Sequence, residues 1–240
     1  MKNKIVLLFV ITLVIITLTS CNASRNDENI TQTPTLEVNT TEELAEYRTY
    51  YDILSAAVNG YGLGAVEQNS IPNLYSGVIH AELIDFNNDG LPELLYAYND
   101  GSDKFWVHFA VYGFGSGKAE LLDTYTVAPT HLGVNIALNQ DGLAYLHYLE
   151  INAFNKSDSY YTLIDGEWTS VLELYLSTED VEDAVVDWFV NGNEVDELEY
   201  DSSLKALGIV SSRELWWGNH GVDLDTVQML LSELKTRSKI

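Results

Sequence analysis

The spacing of hydrophobic positions changes twice along the chain. Leu44, Tyr47, Tyr51, Leu54 and Val58 recur every three or four residues, which is one face of an α-helix. Thr40 or Thr41 can cap its start, and Glu42 and Glu43 suit its positively polarised first turn. Gly60, Gly62 and Gly64 end it. From Gly77 to about Tyr175 the period shortens to that of strands. VIHAELIDF, ELLYAYND, FWVHFAVYG, KAELLDTYTV, LAYLHYLEI, YYTLIDGEW and TSVLELYL are short, aromatic and β-branched. Turn residues separate them: Asn99-Asp100-Gly101, Gly113 to Gly117, Asp141-Gly142 and Asp165-Gly166. Strands that follow one another with no helix between predict an antiparallel sheet or meander. Beyond Ser177, Val185–Val190 reads as one more strand, closed by Asn191-Gly192. Helical spacing then returns over Val195–Leu207 and Asp223–Arg237, the latter with a Val227, Leu230, Leu231, Leu234 stripe and Glu233 facing Arg237. The expected class is α+β: an antiparallel β-sheet or meander with an N-terminal helix and C-terminal helices. It forms a single domain over 41–240, β-rich across 77–175 and helical across 176–240.

The first residues follow no fold pattern. Lys2 and Lys4 precede an apolar run, Ile5 to Leu18, which is short for a membrane span and suits a secretory signal peptide over 1–20. The run ends in Leu18-Thr19-Ser20-Cys21, which resembles the lipobox of bacterial lipoproteins. The resemblance implies cleavage before Cys21, lipid on Cys21, and a mature chain anchored to the extracellular face of the cell membrane. Residues 21–40, rich in Asn, Thr, Ser and Asp, read as a flexible tether. Cys21 is the sole cysteine, so the domain has no internal disulfide, no cysteine nucleophile and no thiolate metal site.

Twelve basic and 36 acidic residues give a net charge of -24, and losing Lys2 and Lys4 with the signal makes it more negative still. Such a surface repels nucleic acid and anionic headgroups and attracts cations. Plentiful aromatic and aliphatic residues exclude a disordered acidic tail.

One segment concentrates the acid. In IDFNNDGLPELL, Ile84 to Leu95, Asp85, Asn87 and Asp89 alternate, then Gly90 permits a sharp turn and Leu91 can offer its carbonyl. Hard cations such as calcium require several oxygens around one point. Counted from Asp85, positions one, three, five, six and seven match the first half of an EF-hand loop. The second half departs: position twelve is Tyr96, the acid arrives at position nine as Glu93, and the flanks read as strands. The loop resembles the shorter calcium loops of FG-GAP repeats in integrin-type propellers. That resemblance implies one structural calcium ion held by Asp85, Asn87, Asp89, the Leu91 carbonyl and Glu93, with water. Together with YYTLIDGEW and FVNGNEVDELEY, the segment also resembles predicted surface lipoproteins of Gram-positive bacteria, a resemblance that implies no activity. Without metal, the same residues would make an acidic hairpin turn.

Other constellations offer less. GFGSGK, Gly113 to Lys118, lacks phosphate-loop spacing and reads as a hairpin turn. His80, His108, His131, His147 and His220 form no metal motif, although His80 and Glu82 share one face of a strand. A serine-hydrolase elbow is absent. Glu150, Asp158 and Glu173 are the acids a glycosidase pair could draw on. Trp216, Trp217, Asn219 and His220, expected in a loop, and Tyr160, Tyr161 and Trp168 at a hairpin, could stack on sugars or pack in the core. The expected function is a lipid-anchored, calcium-binding, non-enzymatic interaction module whose partner is a surface glycan or protein. The alternative is an envelope glycan hydrolase using paired carboxylates.

Overall fold

The computed structural model describes residues 41–67, 74–103, 105–128, 132–178, 186–217 and 223–240. The signal segment, Cys21, the tether, His131, Asn219 and His220 lie outside the described residues. In chain order the elements are α1 (Thr41–Tyr61), β1 (Ala65–Glu67), β2 (Leu74–Ile84), β3 (Glu93–Asn99), β4 (Val107–Gly115), β5 (Lys118–Val127), β6 (Leu132–Asn139), β7 (Ala144–Ile151), β8 (Asn155–Ile164), β9 (Glu167–Thr178), β10 (Val186–Val190), β11 (Asn193–Val195), α2 (Glu197–Ala206), β12 (Ile209–Trp217) and α3 (Asp225–Arg237). The class is α+β, as expected, and every strand pairing is antiparallel apart from an isolated Leu63–Val78 bridge.

The strands form two sheets, β1-β2-β3-β4-β5 and β11-β10-β9-β8-β7-β6-β12. Alternation along each strand explains why they stack. In β3 and β4, Leu95, Ala97, Val107, Phe109 and Val111 point one way and share a core with Val134, Ile136, Leu146 and Trp216 of the second sheet. Leu94, Tyr96 and Ala110 point the other way, where Tyr47, Tyr50 and Leu54 of α1 and Val227, Leu230 and Leu234 of α3 cover them. On the outer face of the second sheet, Tyr145, Tyr160, Leu172 and Leu174 pack with Tyr200 of α2. The layers are therefore helices, sheet, sheet, helix.

Three hairpins turn as two-residue chemistry requires. Ser116-Gly117, Asp165-Gly166 and Asn191-Gly192 each place both residues at positive φ, between 50° and 81°. That twist matches the flanking strands. Glycine serves differently at Gly77: a Cβ there would stand 2.6 Å from the Leu63 carbonyl, so only glycine lets the segment after α1 cross β2 this closely.

The structure corrects several expectations. The apolar stripe of α1 centres on Tyr47, Tyr50, Leu54 and Ala57, with Tyr51 and Val58 at its half-buried margin. The helix runs through Gly60 to Tyr61. The segment 176–240 is not simply helical, because β10, β11 and β12 lie among α2 and α3. β6 and β12 were not expected, and each completes the other at the edge of the second sheet. Two register shifts in β12, between Ile209 and Ser211 and between Glu214 and Trp216, break the alternation that would mark a strand. Trp216 is accordingly in a strand and 1% exposed, stacked edge-on against Tyr75 at 4.6 Å.

Candidate functional site

The acidic loop joins β2 to β3, and both flanks are strands, as the sequence indicates. Its own side chains shape it. Asp85 accepts the backbone N–H of Asp89 on Oδ1 (3.1 Å) and of Gly90 on Oδ2 (2.8 Å). Asn87 Oδ1 accepts the Asp89 N–H at 3.1 Å, and Asp89 Oδ1 accepts that of Leu91 at 2.8 Å. Asn87 Nδ2 donates to Asp89 Oδ2 at 2.8 Å. Asn88 and Gly90 turn the chain back at positive φ, 57° and 90°. These are the local side-chain-to-backbone bonds that Asp and Asn supply in tight loops.

The loop is also fastened to the sandwich. Phe86 is fully buried and meets Trp168 edge-on at 5.0 Å. The hydroxyl of Thr162, in β8, lies 2.8 Å from the carbonyl oxygens of both Phe86 and Ala144, tying the loop to the second sheet. Asn88 Nδ2 reaches the Asp141 carbonyl at the β6–β7 turn, 3.4 Å away. The five residues singled out from the sequence therefore occupy one short segment, with Asp89 exposed, Asp85, Asn87 and Leu91 half-buried, and Glu93 4% exposed.

Glu93 is the unusual member. Its Oε2 accepts the Phe86 N–H at 3.0 Å. Burial, followed by the negative charges of Asp89 and Asp85, pushes its pKa up to about 7 against the pull of that hydrogen bond. Beside it, burial and then the charges of Glu46, Glu93 and Asp89 raise the pKa of the Tyr50 phenol. All the donors available are oxygens, the class that calcium takes. Among the described residues, no three Asp, Glu, His or Cys side chains converge as a ready-made metal cage.

The remaining candidates scatter. Asp158 and Leu149 face one side of the second sheet, whereas Glu150 and Glu173, opposite Ser157 and Ser159, face the other. The three acids therefore do not share one face, and Asp158 is set apart from the other two. Asp158 is instead buried between His147 Nε2 (2.8 Å) and Lys156 Nζ (2.7 Å). Burial by itself would raise its pKa, but these hydrogen bonds and charges outweigh burial and hold the carboxyl below the usual range. His80 and Glu82 do share a face, 3.4 Å apart, and Glu82 is bonded to Arg213 of β12, which joins the two sheets. His108 bonds Thr126 at 2.9 Å. Tyr160 is buried and Tyr161 and Trp168 are half-buried packing partners, so they present no sugar platform. GFGSGK forms the β4–β5 hairpin.

Sequence reasoning missed Glu46 and Tyr50, which α1 buries completely. The signal was available: the two are four apart and share the helix face that carries the apolar stripe. No protein-family model, curated protein or solved structure matches the chain.

Proposed function

We propose that the chain is a lipid-anchored, calcium-stabilised, non-enzymatic binding module at the extracellular face of a bacterial cell membrane. Glu93 carries the calcium reading. Its pKa is raised first by burial and then by the charges of Asp89 and Asp85, and a cation shared with those two acids would favour its charged form. One calcium ion would be held by Asp85, Asn87, Asp89, the Leu91 carbonyl and Glu93. It would neutralise most of their charge and fix the connection between β2 and β3. Extracellular modules hold calcium at roughly 10⁻⁴ to 10⁻³ M, a range that suits a constitutive structural ion. The lipobox at Cys21 supports the anchor. The acid excess argues against nucleic acid and leaves a surface glycan or protein as partner.

Calorimetric calcium titration of the mature chain tests this directly. The expected result is one ion per chain, with binding abolished in Asp89→Ala. Binding that survives Asp89→Ala would assign the ion to another part of the chain, and no binding in the wild type would end the calcium reading.

A further inference from the structure

β2 leaves part of its edge open. β1 pairs with it only from Leu74 to Ser76, and the isolated Leu63–Val78 bridge covers the next stretch. From Ile79 to Ile84, β2 has β3 on one side and, among the described residues, no strand on the other. Backbone groups of successive residues in an antiparallel strand turn to alternate sides. The Ala81 N–H points away from β3, because it meets the Thr226 hydroxyl of α3 at 3.3 Å. The N–H and C=O of Leu83, two residues on, therefore point the same way and have no ladder partner among the described residues.

A cleft of about 430 Å³ runs along this edge, within the size range of ligand sites. Four successive residues of β2, His80 to Leu83, line it. Successive side chains point to opposite faces, so the cleft follows the edge of the strand and not one face of the sheet. Its two walls differ. On one side Ala81 and Leu83 pack with Leu230 of α3, and Met229 stands beside them, 68% exposed. On the other side Glu82 is ion-paired to Arg213 of β12, and His80 lies 3.4 Å from both Glu82 and Thr226. Glu233 of α3 also lines the cleft, with its side chain half exposed.

We propose that this cleft takes an extended peptide segment of a partner protein, added as a further strand to the edge of β2. An open strand edge is a template for main-chain hydrogen bonds, and the side chains of an added strand would face the two walls in turn. One wall is aliphatic and the other polar, which selects a segment alternating aliphatic with charged residues. Glu82, Glu233 and the net charge of -24 favour basic residues at the charged positions and repel acidic ones. The inference rests on the reading of the chain as a binding module and names a protein as its partner. It does not depend on the calcium ion.

Fluorescence polarisation of labelled, end-capped hexapeptides against the mature chain tests the proposal, in about 0.15 M salt and with either calcium or EDTA present. One probe alternates lysine with valine and another alternates glutamate with valine. Two more repeat the lysine–valine sequence with the backbone nitrogens of every valine, or of every lysine, methylated. The lysine–valine peptide should bind and the glutamate–valine peptide should not. Only one of the two methylated sets should lose binding, because an edge strand turns alternate N–H groups toward its neighbour. Met229→Lys and Glu233→Lys, both at exposed positions of α3, should each weaken binding by about tenfold or more without lowering the unfolding midpoint. No binding of the lysine–valine peptide would overturn the proposal. Equal binding of both methylated peptides, or wild-type affinity in either variant, would also overturn it and leave only charge attraction. Sedimentation of the mature chain as a dimer that Met229→Lys dissociates would assign the cleft to a second copy and overturn it too. Calcium uptake without peptide binding ends this inference alone, whereas peptide binding without calcium uptake sustains it and ends the calcium reading.

Discussion

Replacing Thr162 by valine isolates the fastening that holds the acidic loop against the second sheet. Thr162 is fully buried, and its hydroxyl is 2.8 Å from the carbonyl oxygens of Phe86 and Ala144. Valine keeps the shape and removes the only side-chain donor the residue offers. A buried acceptor then loses its partner, at a cost of about 1–3 kcal/mol. In a domain of this size each kcal/mol lowers the unfolding midpoint by roughly 2–4 °C, so the expected drop is about 2–12 °C. Thr162→Ser keeps the hydroxyl, loses one methyl group, and should fall by less. The assay is thermal unfolding followed by circular dichroism in EDTA, so that no ion contributes. A valine variant that melts with the wild type, or a serine variant that falls as far as valine, would refute the hydrogen-bond argument.

Three further outcomes follow from the same geometry. Asp158, held below the usual carboxylate range by His147 and Lys156, contributes stability above its unfolded pKa of about 3.9 and loses it as pH falls through the folded value. Asp158→Asn should therefore cost about 3–5 kcal/mol at pH 7 and clearly less in strong acid by urea unfolding, and an equal cost at both pH values would contradict the ion-pair reading. Trp216→Ala should cost about 3–5 kcal/mol and abolish near-ultraviolet dichroism from the Tyr75 contact, whereas a neutral result would place Trp216 outside the core. Cys21→Ser should eliminate incorporation of labelled palmitate in a bacterial host and release the chain into the medium, and continued labelling would rule out Cys21 as the lipid attachment.

Local physics explains what was legible in the sequence. Asp165-Gly166 and Asn191-Gly192 announce their hairpins because both positions need positive φ. The acidic loop announces itself because three acids and two amides in nine residues fit few other purposes, and the runs on either side of it are apolar and aromatic, as buried strands are. What remained hidden depends on distant parts of the chain. β12 has broken alternation and becomes a strand only by pairing with β6, seventy or more residues earlier in sequence. Trp216 and its neighbours looked like a loop until that pairing buried Trp216. Asp158 could be counted among the acids open to a glycosidase pair because its sequence neighbours do not reveal His147, which reaches it from the adjacent strand. Glu46 was not singled out, although its spacing to Tyr50 places it on the buried face.

The most direct test of the central claim is the unfolding midpoint of the chain in EDTA and in excess calcium, with Asp89→Ala alongside. At 100 times its dissociation constant an ion adds about 2.7 kcal/mol, or roughly 5–11 °C for a domain of this size. The account predicts a rise of that order in the wild type and none in Asp89→Ala. Identical midpoints with and without calcium in the wild type would contradict it and leave the acidic loop as a hydrogen-bonded turn.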